Sequence, residues 1–147
     1  MKNIVVSLVD EVRKELENDI LPFWMNRMVD NVNGGFYGQI TGEDVLCPEA
    51  SKGAILNARI LWTFSSAYRI LKKESYLEIA SRAKDYIIDK FYDKQFGGIY
   101  WELDAKGNPT DTKKQIYAIG FAIYGLSEYV RITGDEEVLG YAVKLFE

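Results

Sequence analysis

Two kinds of helical pattern alternate along the chain. Residues 3 to 21 place Ile4, Val5, Leu8, Val9, Val12, Leu16 and Ile20 at spacings of three and four, with Asp10, Glu11, Arg13, Lys14, Glu15 and Glu17 filling the other side. This predicts an amphipathic helix with one wet face, ended or bent at Pro22, with Phe23, Trp24 and Met28 packed over its end. From Lys52 to about Leu71 the pattern changes. Between Gly53 and Tyr68 the only formal charge is Arg59, and Ile55, Leu56, Ile60, Leu61, Trp62 and Phe64 lie on every side of the wheel, as in a buried helix. A buried guanidinium is costly unless paired. Arg59 is therefore expected to meet either a structural carboxylate or a ligand in a central pocket. Ser75 with Glu78 has capping-box spacing and opens a second amphipathic helix to about residue 91, with Leu77, Ile79, Ala80, Ala83, Tyr86, Ile87 and Phe91 on its apolar face.

The connecting stretches repeat. Asn33-Gly34-Gly35 signals a turn, and Phe36 to Ile40, Thr41 to Asp44 and Val45-Leu46 predict a short hairpin. Gly97-Gly98-Ile99-Tyr100 repeats Gly34-Gly35-Phe36-Tyr37 at an offset of 63, and Asp104 to Gly107 supplies a second hairpin turn. Beyond it the offset is 62, placing Lys114 on Lys52, Tyr124 on Trp62, Ser127 on Ser65, Arg131 on Arg69, Leu139 on Leu77 and Ala142 on Ala80. A second buried helix, about Thr112 to Ile132, carries no charge between Gln115 and Ser127; Gly134 terminates it and Asp135 caps the next. Wet-faced and dry helices thus alternate, with a glycine-led hairpin before each dry one, which predicts an all-α fold of two concentric layers, dry inside and wet outside. Shifting the helix at 75–91 by 62 predicts one at 137–153, so the chain of 147 residues is expected to stop in mid-helix.

Composition narrows the chemistry. With 48% hydrophobic residues there is material for one real core, and a net charge of -4 without any Lys/Arg run argues against a nucleic-acid partner. No apolar run approaches the roughly 20 residues of a membrane span, and the charged N-terminus does not read as a signal peptide. A single cysteine, Cys47, precludes an internal disulfide framework and suits a reducing, cytoplasmic setting; with no histidine to activate it, it is a poor nucleophile. The chain contains no histidine at all, which removes the commonest general base and metal ligand. Neither a cofactor nor a metal is expected. The Gly34-Gly35 and Gly97-Gly98 pairs lack the Gly-Lys-Ser/Thr of a phosphate loop and are turn residues.

Three stretches carry a resemblance: NGGFYGQITGEDV, KGAILNARILWTFSSAYRIL and GGIYWELDAKGNPTDTKKQIYAIGFAIYGLSEY. They resemble the N-terminal third of the N-acylglucosamine 2-epimerase family, closer to its cellobiose 2-epimerase branch, over essentially the whole chain. The resemblance implies a portion of an (α/α)6 barrel. At about 62 residues per repeat a closed ring takes roughly 370–400 residues, so residues 1–147 are expected to be an incomplete domain of about two and a third helical hairpins. It also implies inversion at C2 of a reducing-end sugar through an enediolate, by removal and return of a proton that later histidines of the family carry out. Arg59, in N-A-R-I-L-W, matches the family's active-site arginine, which binds sugar oxygens and stabilises negative charge. Tyr117, in K-K-Q-x-Y-A, matches a tyrosine of the same pocket. The implied partner is a small saccharide, and the chain alone is expected to be inactive.

Other readings of the same residues stand beside these. Arg59 would serve equally in a helix–helix ion pair, and Tyr117 as a core tyrosine. The repetition of Trp62 as Tyr124 argues for packing rather than sugar stacking; Trp24, Trp101, Tyr37 and Tyr100 read as loop aromatics covering a core edge. A glycoside hydrolase on a similar barrel would need paired carboxylates, and the two dry helices offer only Glu128. A helical-repeat binding module without chemistry is a third possibility. An open arc exposes apolar edges, which predicts a homo-oligomer or an exchanged-helix dimer.

Overall fold

The computed structural model describes residues 2–147. Ile4 and Val5, assigned above to an apolar helix face, have side chains outside the described residues. Helix α1 spans Lys2–Glu15. The helical path does not stop at Pro22. A π-helical turn, Leu16–Ile20, leads directly into α2, Leu21–Asn26, with Pro22 in its first turn, where a missing N–H costs least. Leu21 and Met28 are buried, but Val6, Leu8, Val9 and Val12 are exposed, so the apolar face of α1 is not covered as its pattern suggested. It forms one wall of a groove of about 630 Å³ whose other wall includes Trp62, Thr63, Ala67 and Ile70.

The inner helices are α3, Ala54–Leu71, and α5, Ile116–Thr133; α4, Glu74–Tyr86, continued by a π-helical turn to Phe91, and α6, Glu136–Phe146, flank them. α3 packs on both α4 and α5, and α5 on α6. The close approach of α3 and α5 needs Gly125: a Cβ there would lie 2.7 Å from the carbonyl oxygen of Ala58. Phe64, Leu61, Ala80, Phe91 and Leu126 fill the space between layers. At the helix ends, Lys72 and Gly134, one repeat apart, both adopt left-handed backbone, and Asp135 caps α6 by accepting from the N–H groups of Glu137 and Val138. Ser75 makes no such cap, because α4 begins at Glu74 with Lys73 at its N-cap, two residues before Ser75.

The two expected hairpins differ. The first reduces to a single bridge, Ile40 to Leu46, and ahead of it Phe36 pairs back onto Val29 just as Ile99 pairs back onto Tyr92 in the second repeat. The second is real: the Asp104–Gly107 turn joins β2, Glu102–Leu103, to β3, Pro109–Asp111. β1, Lys52–Gly53, pairs antiparallel with β2, with Lys52 opposite Leu103. Lys52 is thus a strand residue and not the first residue of the dry helix. Its ammonium is fully buried, 2.7 Å from Asp30 Oδ2 and 2.7 Å from the Gly34 carbonyl oxygen.

The same lock recurs in the second repeat. Asp30 Oδ1 accepts from the N–H groups of Val32 and Asn33, and Asp93 Oδ1 from those of Gln95 and Phe96. Asp93 Oδ2 then pairs with Lys114 at 2.8 Å. Each lock ties a Gly-Gly turn to the segment that launches an inner helix. Lys114 and the backbone N–H of Phe96 hold the Asp93 carboxyl down at about 2; at Asp30 burial pushes upward but the hydrogen bonds from Lys52, Asn33 and Val32 outweigh it. Unfolded aspartate titrates near 3.9, so the unfolded chain binds more protons over the interval between about 4 and 2. The stabilisation is complete above that interval and lost as pH falls through it. Urea midpoints followed by circular dichroism should accordingly be lower at pH 3 than at pH 7; equal midpoints would contradict this.

Candidate functional site

On the concave side, α3 and α5 enclose an open cavity of about 970 Å³. α3 contributes Arg59, Trp62 and Thr63, and α5 contributes Ile116, Tyr117, Gly120, Phe121 and Tyr124. Both sets follow the spacing of one helix face. Arg59 and Tyr117 are therefore brought together on one wall. Arg59 is exposed and, among the described residues, has no ion-pair or hydrogen-bond partner. Arg59 is not buried as the all-round apolar pattern suggested, and of its two expected partners no structural carboxylate is present among the described residues: the face of α3 that carries Arg59 looks into the cavity, so its dry surroundings lie only on the other faces.

Tyr117 is exposed and meets Phe121 edge-to-face at 5.0 Å between ring centroids. Phe121 in turn meets Tyr124 at 6.3 Å, and Tyr124 stacks on Trp62 at 4.9 Å with their planes 12° apart. The Trp62–Tyr124 pair does pack, as its repetition suggested, and it also borders the cavity. Phe121, Gly120 and Thr63 were not singled out from the sequence. A signal was present, since Tyr117, Phe121 and Tyr124 are spaced as one helical stripe and Phe121 falls on Arg59 at the offset of 62. Trp24, Trp101 and Tyr100 are half-buried against the core and do not line this cavity, and the Cys47 thiol lies 3.8 Å from the Val45 carbonyl oxygen.

Glu128, the one carboxylate of the inner helices, is buried and lies off the cavity. It accepts from Arg69 Nε at 2.7 Å and Ser66 Oγ at 3.1 Å, bracing α5 against α3. Burial pushes its pKa up, but these hydrogen bonds and the nearby Arg131 outweigh it and hold it below the usual range, so it is an ionised brace rather than a proton donor. Among the described residues no group of three or more His, Cys, Asp or Glu could hold a metal ion, and no helix is long and apolar enough to cross a membrane.

Residues 35–147 match the model of the N-acylglucosamine 2-epimerase (GlcNAc 2-epimerase) family. A cellobiose 2-epimerase of Bacteroides fragilis is 67% identical over 139 residues, 95% of this chain and 36% of that protein. The structure of cellobiose 2-epimerase from Bacillus thermoamylovorans B4167 superposes with a TM-score of 0.93 at 45% identity, covering 95% of this chain and 36% of its own. A D-mannose isomerase, at a TM-score of 0.75 and 22% identity over 86% of this chain and 31% of its own, shares the fold alone. The two helical layers are a portion of an (α/α)6 barrel, and the chain spans about a third of the length of the relatives it matches.

Proposed function

The chain belongs to the N-acylglucosamine 2-epimerase family, and from that premise we propose that it is the N-terminal part of a sugar 2-epimerase acting at C2 of a reducing-end sugar, of cellobiose, mannobiose or N-acylglucosamine type. The observation that carries this reading is the cavity, whose one charged lining residue is the unpaired Arg59, faced by aromatic rings. A guanidinium with no carboxylate beside it has its full set of donors available for sugar oxygens and for the negative charge that develops on an enediolate. Tyr117 adds a hydroxyl on the same wall. Removal and return of the C2 proton needs groups that titrate near neutrality. With no histidine in the sequence, those groups come from outside these residues, in keeping with an incomplete domain of about two and a third repeats in a cytoplasmic enzyme.

Glycoside hydrolysis is disfavoured by the same geometry, because it requires two carboxylates facing the substrate, whereas Glu128 is spent on Arg69 and Ser66 away from the cavity. The test is complementation. The purified chain should give no epimer from cellobiose, mannobiose or N-acylglucosamine by NMR, and should regain turnover when mixed with the remaining C-terminal part of the Bacteroides fragilis relative. It should also scatter light as a homo-oligomer, because the α1–α3 groove is apolar and open. Turnover by the chain alone would overturn the functional reading, and a clean monomer would overturn the oligomer.

A further inference from the structure

Two of the four rings at the cavity, Trp62 and Tyr124, stack on each other apart from the contacts that close the helix seam. The seam between α3 and α5 is closed by Gly125, whose missing side chain admits the Ala58 carbonyl and Leu61, and is locked further along by Glu128 with Arg69 and Ser66. Trp62 and Tyr124 stand outside that seam. Tyr124 is 45% exposed although stacked on Trp62, while Leu61 and Leu126 nearby are 0% and 1% exposed. Apolar rings placed purely for stability gain most in the dry seam. Tyr124 borders the cavity, and Trp62 borders both the cavity and the groove against α1.

Its depth is informative. Trp62 lies about 4.5 Å, three residues of helical rise, beyond Arg59 along α3, and Tyr124 lies the same distance beyond Phe121 on α5. The β1–β3 sheet sits at the opposite, N-terminal ends of these helices: Ala54 N–H donates to the Trp101 carbonyl where α3 begins. The stacked pair therefore lies at the end of the cavity away from the sheet. Beside Phe121 the α5 backbone is bare at Gly120, where a Cβ would meet nothing within 4 Å.

We propose that the Trp62–Tyr124 pair is the depth-setting floor of the saccharide site. It takes the apolar C–H face of the innermost sugar ring while Arg59 and Tyr117 hold oxygens at the ring's rim. This rests on the sugar-site reading above and adds a specificity rule: a ligand enters from the sheet end, only its terminal ring reaches Arg59, and further units extend toward β1–β3. A pyranose suits such a floor because its C–H groups gather on a face and its hydroxyls project around the edge.

NMR titration of the 147-residue chain with cellobiose tests the proposal. The Trp62 indole N–H and Tyr124 ring signals should shift saturably together with Arg59 Nε–H, and Trp62→Ala and Tyr124→Ala should each weaken binding about tenfold. Gly120→Leu fills the space over the floor while raising helix propensity, so it should abolish binding without lowering the melting temperature, even if Trp62→Ala fails to fold. Shifts at Arg59 and Tyr117 with none at Trp62 and Tyr124 would overturn the floor and leave the sugar site standing. Undiminished binding by Gly120→Leu would overturn the floor as well. If no signal moves, either in the chain alone or in its complex with the C-terminal part of the Bacteroides fragilis relative, both readings fall.

Discussion

Lys52→Ala is expected to destabilise the chain by about 3–5 kcal/mol, a large share of a domain's whole stability. The substitution leaves the Asp30 carboxylate, 0% exposed in its side chain, with two backbone N–H donors and no cation, and strips the Gly34 carbonyl oxygen of its donor. Water cannot replace the ammonium, because both members of the pair are sealed. Lys114→Ala removes the equivalent group one repeat later, yet Lys114 is 31% exposed in its side chain. There solvent takes over part of the hydrogen bonding, so the loss should be clearly smaller. Urea denaturation of both variants measures the contrast, and equal losses would sink the argument from burial.

Arg59→Ala should behave in the opposite way, leaving the fold and removing the chemistry. The guanidinium is exposed and unpaired, so its loss creates no buried charge and the melting temperature should stay within a degree or two of the parent. In the reconstituted enzyme, kcat/KM should fall by roughly 10²–10³, the usual cost of one donor to a developing oxyanion. Arg59→Lys should recover only part of this, since a single ammonium cannot reproduce a two-pronged guanidinium. A binding module without chemistry would instead tolerate the change. Activity beside a melting curve separates the two, and full activity in Arg59→Ala would remove this residue from the site.

Most of the helical architecture was legible because it is written locally. The change from one-sided to all-round apolarity marked the outer and inner helices, and the offset of 62 aligned Trp62 with Tyr124 before any contact was known. One misreading comes from partners distant in sequence. Lys52 reads as a helix residue by its neighbours, but its place is decided by Leu103 in the strand pairing and by Asp30 and Gly34 at its ammonium. Pro22 reads as an end or a bend, and the π-helical turn just before it lets the helical path continue into α2. The site was half legible: Arg59 stood out as a charge on a dry helix, while Phe121 and Gly120 look like ordinary core until the cavity between the helices is seen.

The roof over the first lock has a consequence for how the chain is made. Lys52 lies under the ring of Tyr86, 5.1 Å from its centroid, and a side chain on Gly35 or Gly107 would collide with that same tyrosine. The seal on the first repeat therefore comes from residues that leave the ribosome long after Lys52 itself. Until Tyr86 and the turn at Gly107 have emerged, the nascent Asp30–Lys52 pair remains wet and weak. Lys114 has Tyr100 from its own repeat over its ammonium, 3.9 Å from the ring centroid. The first lock is thus finished only after α4 and the turn at Gly107 have been made.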